Sequence, residues 1–245
     1  MKSTLDRLNQ INRKFYATFA ASFSETRSES AQELQVILPY IADGARVLDI
    51  GCGNGRVAAL LDRQRRGVVY VGVDASEEMM GNARRKAQGA EFVAVDITQP
   101  DWMDRLPGQA GSQPAPRAFE CVLMLAVLHH IPGGDVRARL MRQARELLAP
   151  QGHLVVSTWQ FMDNERMRKK IVPWSTVGID ERELEPGDVL LDWKRGGVGL
   201  RYCHWIGKDE LDALAAQAGL NVAETWRAGG REGNLSLYAV LVAAS

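Results

Sequence analysis

The stretch VLDIGCGNG, residues 47–55, sets three glycines, Gly51, Gly53 and Gly55, between an apolar run and a helical pattern. Glycine permits a tight turn and lets a ligand come close to the backbone. A loop of this kind, between a strand and a helix, sits where nucleotides bind at the carboxyl edge of a parallel sheet. A P-loop would need Gly-Lys-Ser/Thr after it, and none follows. The dinucleotide fingerprint G-x-G-x-x-G/A also fails, because Arg56 stands at the sixth position and the third glycine is displaced to Gly55.

Carboxylates supply the next chemistry. Asp74 ends the run VVYVGVD about 20 residues beyond the loop, where a carboxylate accepts both hydroxyls of an adenosine ribose. Asp96 ends EFVAVD. Successive strand ends therefore present DIGCGNG, GVDAS and AVDIT, an acidic crevice with no phosphate ligand in view. Such a crevice suits a cationic, phosphate-free nucleoside, and S-adenosylmethionine is that molecule.

The elements that must position these residues alternate along the chain. RVLDI, VVYVGVD, EFVAVD, FECVLML and GHLVVSTW are rich in β-branched and apolar residues, and helix-like stretches separate them. This alternation specifies βαβ units and a parallel sheet. Ser76 is placed to cap EEMMGNARRKA, and Asp135 to cap VRARLMRQARELLA, whose Val136, Leu140, Leu147 and Leu148 share one face before Pro150 and Gly152. Ahead of the sheet, Leu8, Ile11, Phe15 and Phe19 recur at helical spacing, and a second helix is expected from Thr26, with Glu29 at capping-box distance, through Leu34, Ile37, Leu38 and Ile41. Residues 99–117, rich in Pro, Gly, Ser and Gln, read as a surface loop, and KDELDALAAQAG reads as a helix ended by Gly219 before a closing pair of strands. Between Trp159 and Gly207 no period is readable, and an insertion of that length in a compact domain is usually functional.

Bulk properties narrow the class further. A chain of 245 residues with 46% apolar content fits one α/β domain with extra segments. Equal counts of 30 basic and 30 acidic residues give no overall attraction to nucleic acid or anionic membrane. Cys52, Cys121 and Cys203 are odd in number and lack CxxC spacing, which fits a reduced, cytoplasmic compartment better than a disulfide framework or a zinc site. No apolar run approaches the ~18 residues of a membrane span, and polar residues interrupt RKFYATFAASF too often for a secretory signal.

LDIGCGNG, VD and VDI resemble the cofactor motifs of class I S-adenosylmethionine-dependent methyltransferases. The resemblance implies a doubly wound, mostly parallel seven-stranded Rossmann-like sheet with helices on both faces. Around it would sit an N-terminal helical extension (1–44), a cofactor core (45–159), a substrate-facing lid insertion (160–207) and a closing helix and strands (208–245), all one domain. It further implies that Asp49, Gly51 and Gly53 lie along the methionine moiety, that Asp74 binds the ribose, and that Asp96 and Ile97 meet the adenine. Cys52, Asn54, Gly55, Ala75, Met79, Leu125 and Ala126 complete the implied cofactor set. FYATFAASFSETR, LAVLHHI, Trp159, DVLLDW and RYCHWIGKDEL extend the likeness over nearly the whole chain, toward the tRNA wobble-uridine carboxyl methyltransferases. That family esterifies 5-carboxymethyluridine in the anticodon and works with a small zinc-binding activator subunit. This chain departs from it at Leu191-Asp192, at Cys203 and at Asn234-Leu235.

Transfer from a sulfonium needs little beyond an in-line nucleophile and exclusion of water, and such positioning is worth about 7–11 kcal/mol. A carboxylate nucleophile is ionised at neutral pH and needs no general base, only an orienting cation. Arg201 is the candidate cation, since a guanidinium grips a carboxylate at two points. His129 and His130, at the end of the fourth strand, are candidates to line the acceptor pocket, with His204 beside them. Tyr202, Trp159, Trp174, Trp193 and Trp205 are candidates to stack on a base. Arg166, Arg168, Lys169, Lys170, Lys194 and Arg195 would contact phosphates. A small carboxylate, phenol or quinone is the competing acceptor, and a cofactor-binding module without turnover is the competing non-enzyme reading. No metal ligand spacing is present, so no metal is expected.

Overall fold

The chain is described from a computed structural model, covering residues 3–28, 31–65, 67–107, 118–230 and 232–244. Five β-rich runs form parallel neighbours: β1 (Arg46–Ile50), β2 (Val69–Asp74), β3 (Glu91–Ala94), β4 (Phe119–Leu125) and β5 (Leu148–Trp159). The closing hairpin, β9 (Leu220–Ala228) and β10 (Ser236–Ala243), adds two antiparallel strands, giving one seven-stranded sheet of order β3-β2-β1-β4-β5-β10-β9. The order reverses between β1 and β4, which places the switch point of the sheet, where ligands bind in such folds, at the carboxyl ends of those two strands.

Both faces of the sheet are covered. On one lie α4 (Gly134–Leu147) and α6 (Lys208–Gln217), whose Leu140, Leu147, Leu211 and Leu214 pack on Leu48, Val122 and Leu154. On the other, α2 (Arg56–Gln64), α3 (Glu77–Lys86) and a 3-10 helix, Ala31–Tyr40, bring Val57, Leu61, Met80 and Ile37 against Val47, Tyr70 and Leu123. With covers on each side, the central strands carry apolar residues at nearly every position.

Four local expectations differ from the structure. Helix α1 (Thr4–Ser28) runs straight through Thr26, and the segment after it is 3-10 rather than α, with Pro39 inside; Glu29 lies outside the described residues. Gly133, at φ 88°, occupies the N-cap of α4, and Asp135 falls in the first turn, where a carboxylate favours the helix dipole instead of capping a single N–H. The segment 99–107 is not all surface loop: Trp102–Arg105 forms a 3-10 turn, and Trp102 is buried with its indole N–H donating to Gln143 Oε1 at 2.9 Å. Residues 108–117 lie outside the described set.

The fourth difference is the insertion. It contains α5 (Glu165–Arg168) and a three-stranded antiparallel sheet, β6 (Ile171–Val172), β7 (Asp188–Trp193) and β8 (Gly199–His204). Val189, Leu191 and Cys203 pack with Trp159 and Phe161 on one face, while Leu190 and Tyr202 pack with Trp174 and Leu8 of α1 on the other. A strand covered on both faces has no apolar–polar alternation to read, which is why its period was invisible. Gly199 lets α1 dock, since a Cβ there would fall 2.3 Å from Cε2 of Phe19.

A buried charged network joins this small sheet to the main body. His204 Nδ1 lies 2.7 Å from Asp188 Oδ1, and its Nε2 lies 3.0 Å from Glu210 on α6. Arg137 on α4 reaches Glu185 at 2.7 Å and Glu210 at 3.3 Å, and donates to the Ile131 carbonyl. Donor atoms of Glu185, Asp188 and His204 converge within 4.8 Å, and the Arg137 guanidinium answers their charge. Arg137→Leu is expected to destabilise the fold by about 3 kcal/mol in urea denaturation. That is the lower end of the range for breaking a buried pair, because Glu185 and Glu210 keep some access to water.

Candidate active site

Strands β1 to β4 end on one rim, and the peptide after each enters a single cleft of about 580 Å³. The turn after β1 is held by its neighbour: the N–H groups of Gly51 and Cys52 donate to the Val73 carbonyl at 2.8 and 3.0 Å. Gly51 has φ 77°, and a Cβ there would lie 2.4 Å from Cγ2 of Val127. The loops after β1 and β4 touch at that point, so no larger residue fits.

Asp74 pins two elements together. Its Oδ2 accepts the Gly53 N–H and its Oδ1 the Ser76 N–H, both at 2.9 Å. Burial pushes this carboxyl above its ordinary value, against the stabilising pull of those backbone donors. Ser76 caps α3 as its spacing foretold, accepting the Met79 N–H at 3.3 Å, and so presents Met79 to the cleft.

At the next strand end Asp96 Oδ1 accepts the Thr98 N–H and O–H at 2.9 and 2.6 Å, while Oδ2 pairs with Arg13 of α1. Burial opposes ionisation here, but the Thr98 bonds and the Arg13 charge outweigh it and hold the carboxyl below its ordinary value. After β4, Ala126 adopts φ 58°, a left-handed conformation costing an L-residue about 1–2 kcal/mol. Its N–H is fixed by the Ser157 carbonyl and Oγ, each at 3.0 Å.

Most residues singled out from the sequence meet in this cleft. Gly51, Cys52, Gly53 and Asn54 line it from the glycine loop, Asp74, Ala75 and Met79 from the next segment, Asp96 and Ile97 after β3, and Leu125, Ala126 and His130 after β4. Two do not. Asp49 is buried beneath the loop, where Oδ2 accepts the Tyr70 O–H at 2.6 Å. Gly55, at φ 73°, serves packing, for a Cβ there would meet Ala83 of α3 at 2.8 Å.

The acceptor-side residues divide as well. His130 lines the cleft, whereas His129 is fully buried, stacked on Trp159 at 4.9 Å, with its Nδ1 accepting the Trp159 N–H. Arg201 is 4% exposed in an aromatic cage, 4.6 Å from the Trp159 ring centre, 5.1 Å from Phe15 and 6.0 Å from Trp193. Trp159 also meets His130 edge to face at 5.5 Å, so the cage stands one layer behind the cleft wall. Tyr202 is buried and its O–H donates to Asp188 at 2.7 Å, leaving no open ring face for a base. His204 is enclosed in the charged network rather than in the cleft; burial lowers its pKa, but Asp188 and Glu210 prevail and raise it. Arg166 and Arg168 on α5 and Lys169 just after it are exposed outside the cleft, and half-buried Lys170 is held below its ordinary pKa by burial first and by Arg201 and Arg166 second.

Helix α1 supplies a wall that the motifs did not reveal: Asn9, Asn12, Arg13, Tyr16 and Ala17 all line the cleft. The available signal was Asn12, a polar residue on the stripe of Leu8, Phe15 and Phe19.

The family model described as a methyltransferase domain matches residues 23–225. The chain belongs to that methyltransferase family. Over 239 residues the methyltransferase is 28% identical to trans-aconitate 2-methyltransferase of Azoarcus sp. (strain BH72), covering 85% of this chain and 90% of that one. It is 25% identical to tRNA (carboxymethyluridine(34)-5-O)-methyltransferase alkbh8 of Xenopus tropicalis, across 68% of this chain and only 23% of that longer protein. Among solved structures, the DhpI-SAM-HEP complex matches with TM-score 0.66 at 18% identity, covering 99% of this chain and 100% of that one. The methyltransferase of a Haloferax volcanii complex with the activator Trm112 matches with TM-score 0.62 at 18% identity, over 96% and 98%. These structural likenesses show a shared fold. No described helix of the methyltransferase is long and apolar enough to cross a membrane.

Asp49, buried beneath the loop, links the stability of the fold to pH. Burial raises its carboxyl from 3.8 to about 7, with the Tyr70 hydrogen bond and Arg56 opposing and Asp74 adding to the rise. A carboxyl raised on folding contributes stability that is complete below its unfolded value and is lost as pH climbs through the folded one. Asp49→Asn, which keeps an acceptor for Tyr70, is expected to gain on the parent by on the order of 1 kcal/mol per pH unit between about 4 and 7. Paired urea melts across that range measure it, and a difference independent of pH would refute it.

Proposed function

We propose that this methyltransferase moves the methyl group of S-adenosylmethionine to a carboxylate oxygen, and that the acceptor is the carboxymethyl group of a modified wobble uridine in tRNA. The observation carrying this reading is a division of charge around one cleft. Asp74 and Asp96 gather at the rim where a sulfonium nucleoside would lie, and Arg201 stands one layer behind the wall that His130 forms, packed on the Trp159 ring that His130 also meets.

The residues present fit the cofactor. Asp74 faces the cleft with both oxygens already oriented by backbone donors, Gly51 and Gly53 line it with backbone alone, and Ile97 and Met79 add apolar surface. When bound, S-adenosylmethionine supplies an electrophilic methyl carbon whose bond to sulfur breaks as the carboxylate oxygen bonds to it, giving a neutral ester and a neutral thioether. Asp74 and Asp96 hold the nucleoside, and α1 with Tyr16 excludes water from the reacting end. His130 lines the acceptor side. Arg201, desolvated within its ring cage, sets a positive potential that draws an anionic acceptor and orients it. No proton has to move, since the nucleophile is already ionised.

The tRNA acceptor draws support from the exposed Arg166 and Arg168 on α5, Lys169 just after it, and Lys194 and Arg195 just after β7, a basic edge suited to phosphates. A free small polycarboxylate is the second reading. It is favoured by the burial of Trp159, Trp174, Trp193 and Tyr202, which leaves those rings unable to stack on a base, and by the relative named for trans-aconitate that is matched along nearly its whole length. An activator subunit like that of the Haloferax neighbour belongs with the tRNA reading.

Incubating the protein with methyl-labelled S-adenosylmethionine and either bulk tRNA or trans-aconitate separates these. Label released as methanol by mild alkali identifies an ester, and salt-sensitive turnover identifies the RNA acceptor. Label that survives alkali would overturn carboxylate transfer. Asp74→Asn, which replaces one of two pinned oxygens by a donor, is expected to weaken S-adenosylhomocysteine binding by about 10- to 100-fold in calorimetry.

A further inference from the structure

Leu8, Phe15 and Phe19 form the buried stripe of α1, and Asn12 occupies the same stripe at 7% exposure. A carboxamide at a core position has lost its water and needs partners for both halves. Asn12 has both: its Nδ2–H donates to the His130 carbonyl at 2.9 Å, and its Oδ1 accepts the Tyr202 N–H at 2.9 Å. One side chain thereby joins α1, the turn after β4 and strand β8. The connection is reinforced where His130 Nδ1 lies 3.3 Å from the Tyr202 carbonyl and 3.5 Å from Cys203 Sγ.

The segments joined are those the reaction has to align. His130 and Asn12 both line the cofactor cleft, and Tyr202 directly follows Arg201, whose cage includes Phe15 of the same helix. Only a carboxamide does this at that distance: a carboxylate would repel the His130 carbonyl, a leucine would satisfy neither group, and glutamine would carry its amide one methylene too far.

We infer that Asn12 is a positioning residue for methyl transfer, its carboxamide holding the His130 wall of the cofactor cleft in register with the Arg201–Tyr202 segment of the insertion. Its kinetic consequence rests on the carboxylate-transfer reading; its structural consequence does not. Filling the cofactor cleft should stiffen β8, a strand that does not itself line the cleft, because Asn12 connects the two.

The test compares the parent protein with Asn12→Leu, which keeps the volume and apolar stripe of α1 while removing both hydrogen bonds. S-adenosylhomocysteine is the probe, with hydrogen exchange of the peptide 199–204 and calorimetric affinity as readouts. In the parent, the probe should slow exchange in this peptide. In the variant, the probe should still bind within about tenfold but no longer protect the peptide. With whichever carboxylate acceptor is methylated, kcat should fall about 10- to 100-fold while KM for S-adenosylmethionine moves less. Equal protection in both proteins, no protection in the parent, or a loss of turnover no larger than the loss of affinity would each overturn the inference. If Asn12→Leu does not fold, Asn12→Asp replaces it, since it keeps the acceptor for Tyr202 and sets a charge against the His130 carbonyl. Failure of every carboxylate acceptor would remove the proposed function and leave the exchange comparison to decide the role of Asn12.

Discussion

A carboxylate that loses water at the rim of a sheet must find donors, and at Asp74 it finds them in two different loops. Gly53 N–H from the turn after β1 and Ser76 N–H at the start of α3 share its two oxygens. Because one group satisfies both, the glycine loop cannot shift without moving the helix that carries Met79, and the floor of the cleft is set as a unit. The Gly51–Val127 approach extends that unit to the loop after β4, where Ala126 is held in a left-handed conformation by Ser157. The cofactor cleft is thus shaped by backbone groups more than by long side chains.

The proposed acceptor side is built differently. Arg201, the cation proposed to orient the acceptor, is surrounded by ring faces of Phe15, Trp159 and Trp193, contributed by α1, β5 and β7. Ring faces attract a guanidinium without cancelling its charge as a carboxylate would. Glu185, Asp188 and His204 of the insertion join Arg137 of α4 and Glu210 of α6 in a network that fastens the small sheet to those helices. Two charged residues three apart on β8 consequently sit in different surroundings: residue 201 lies in the ring cage behind the cleft wall, and residue 204 lies in the network that joins the insertion to α4 and α6.

Helix α1 links these halves. It packs on β8 through Leu8 and Phe19, closes the cleft with Arg13 on Asp96, and sends Asn12 across to His130 and Tyr202. An N-terminal segment that reads as an extension to the domain is, in the folded molecule, a wall of its site.

Local sequence alone determined the parallel sheet, the glycine loop, the Ser76 cap, the Gly219 stop and the positions of Asp74 and Asp96, because each depends on periodicity or on a turn within a few residues. Tertiary packing alone decided the rest. The antiparallel sheet of the insertion was unreadable because Leu190 and Leu191 are both buried, on opposite faces, and erase the alternation that marks a strand. Which of two adjacent histidines faces the cleft, that Tyr202 turns its ring inward, and that Asn12 finds two partners more than a hundred residues away are outcomes of contacts between distant segments. Residue type tells what a side chain is able to bond; only the folded chain decides which partner, at what distance and out of reach of water, it meets.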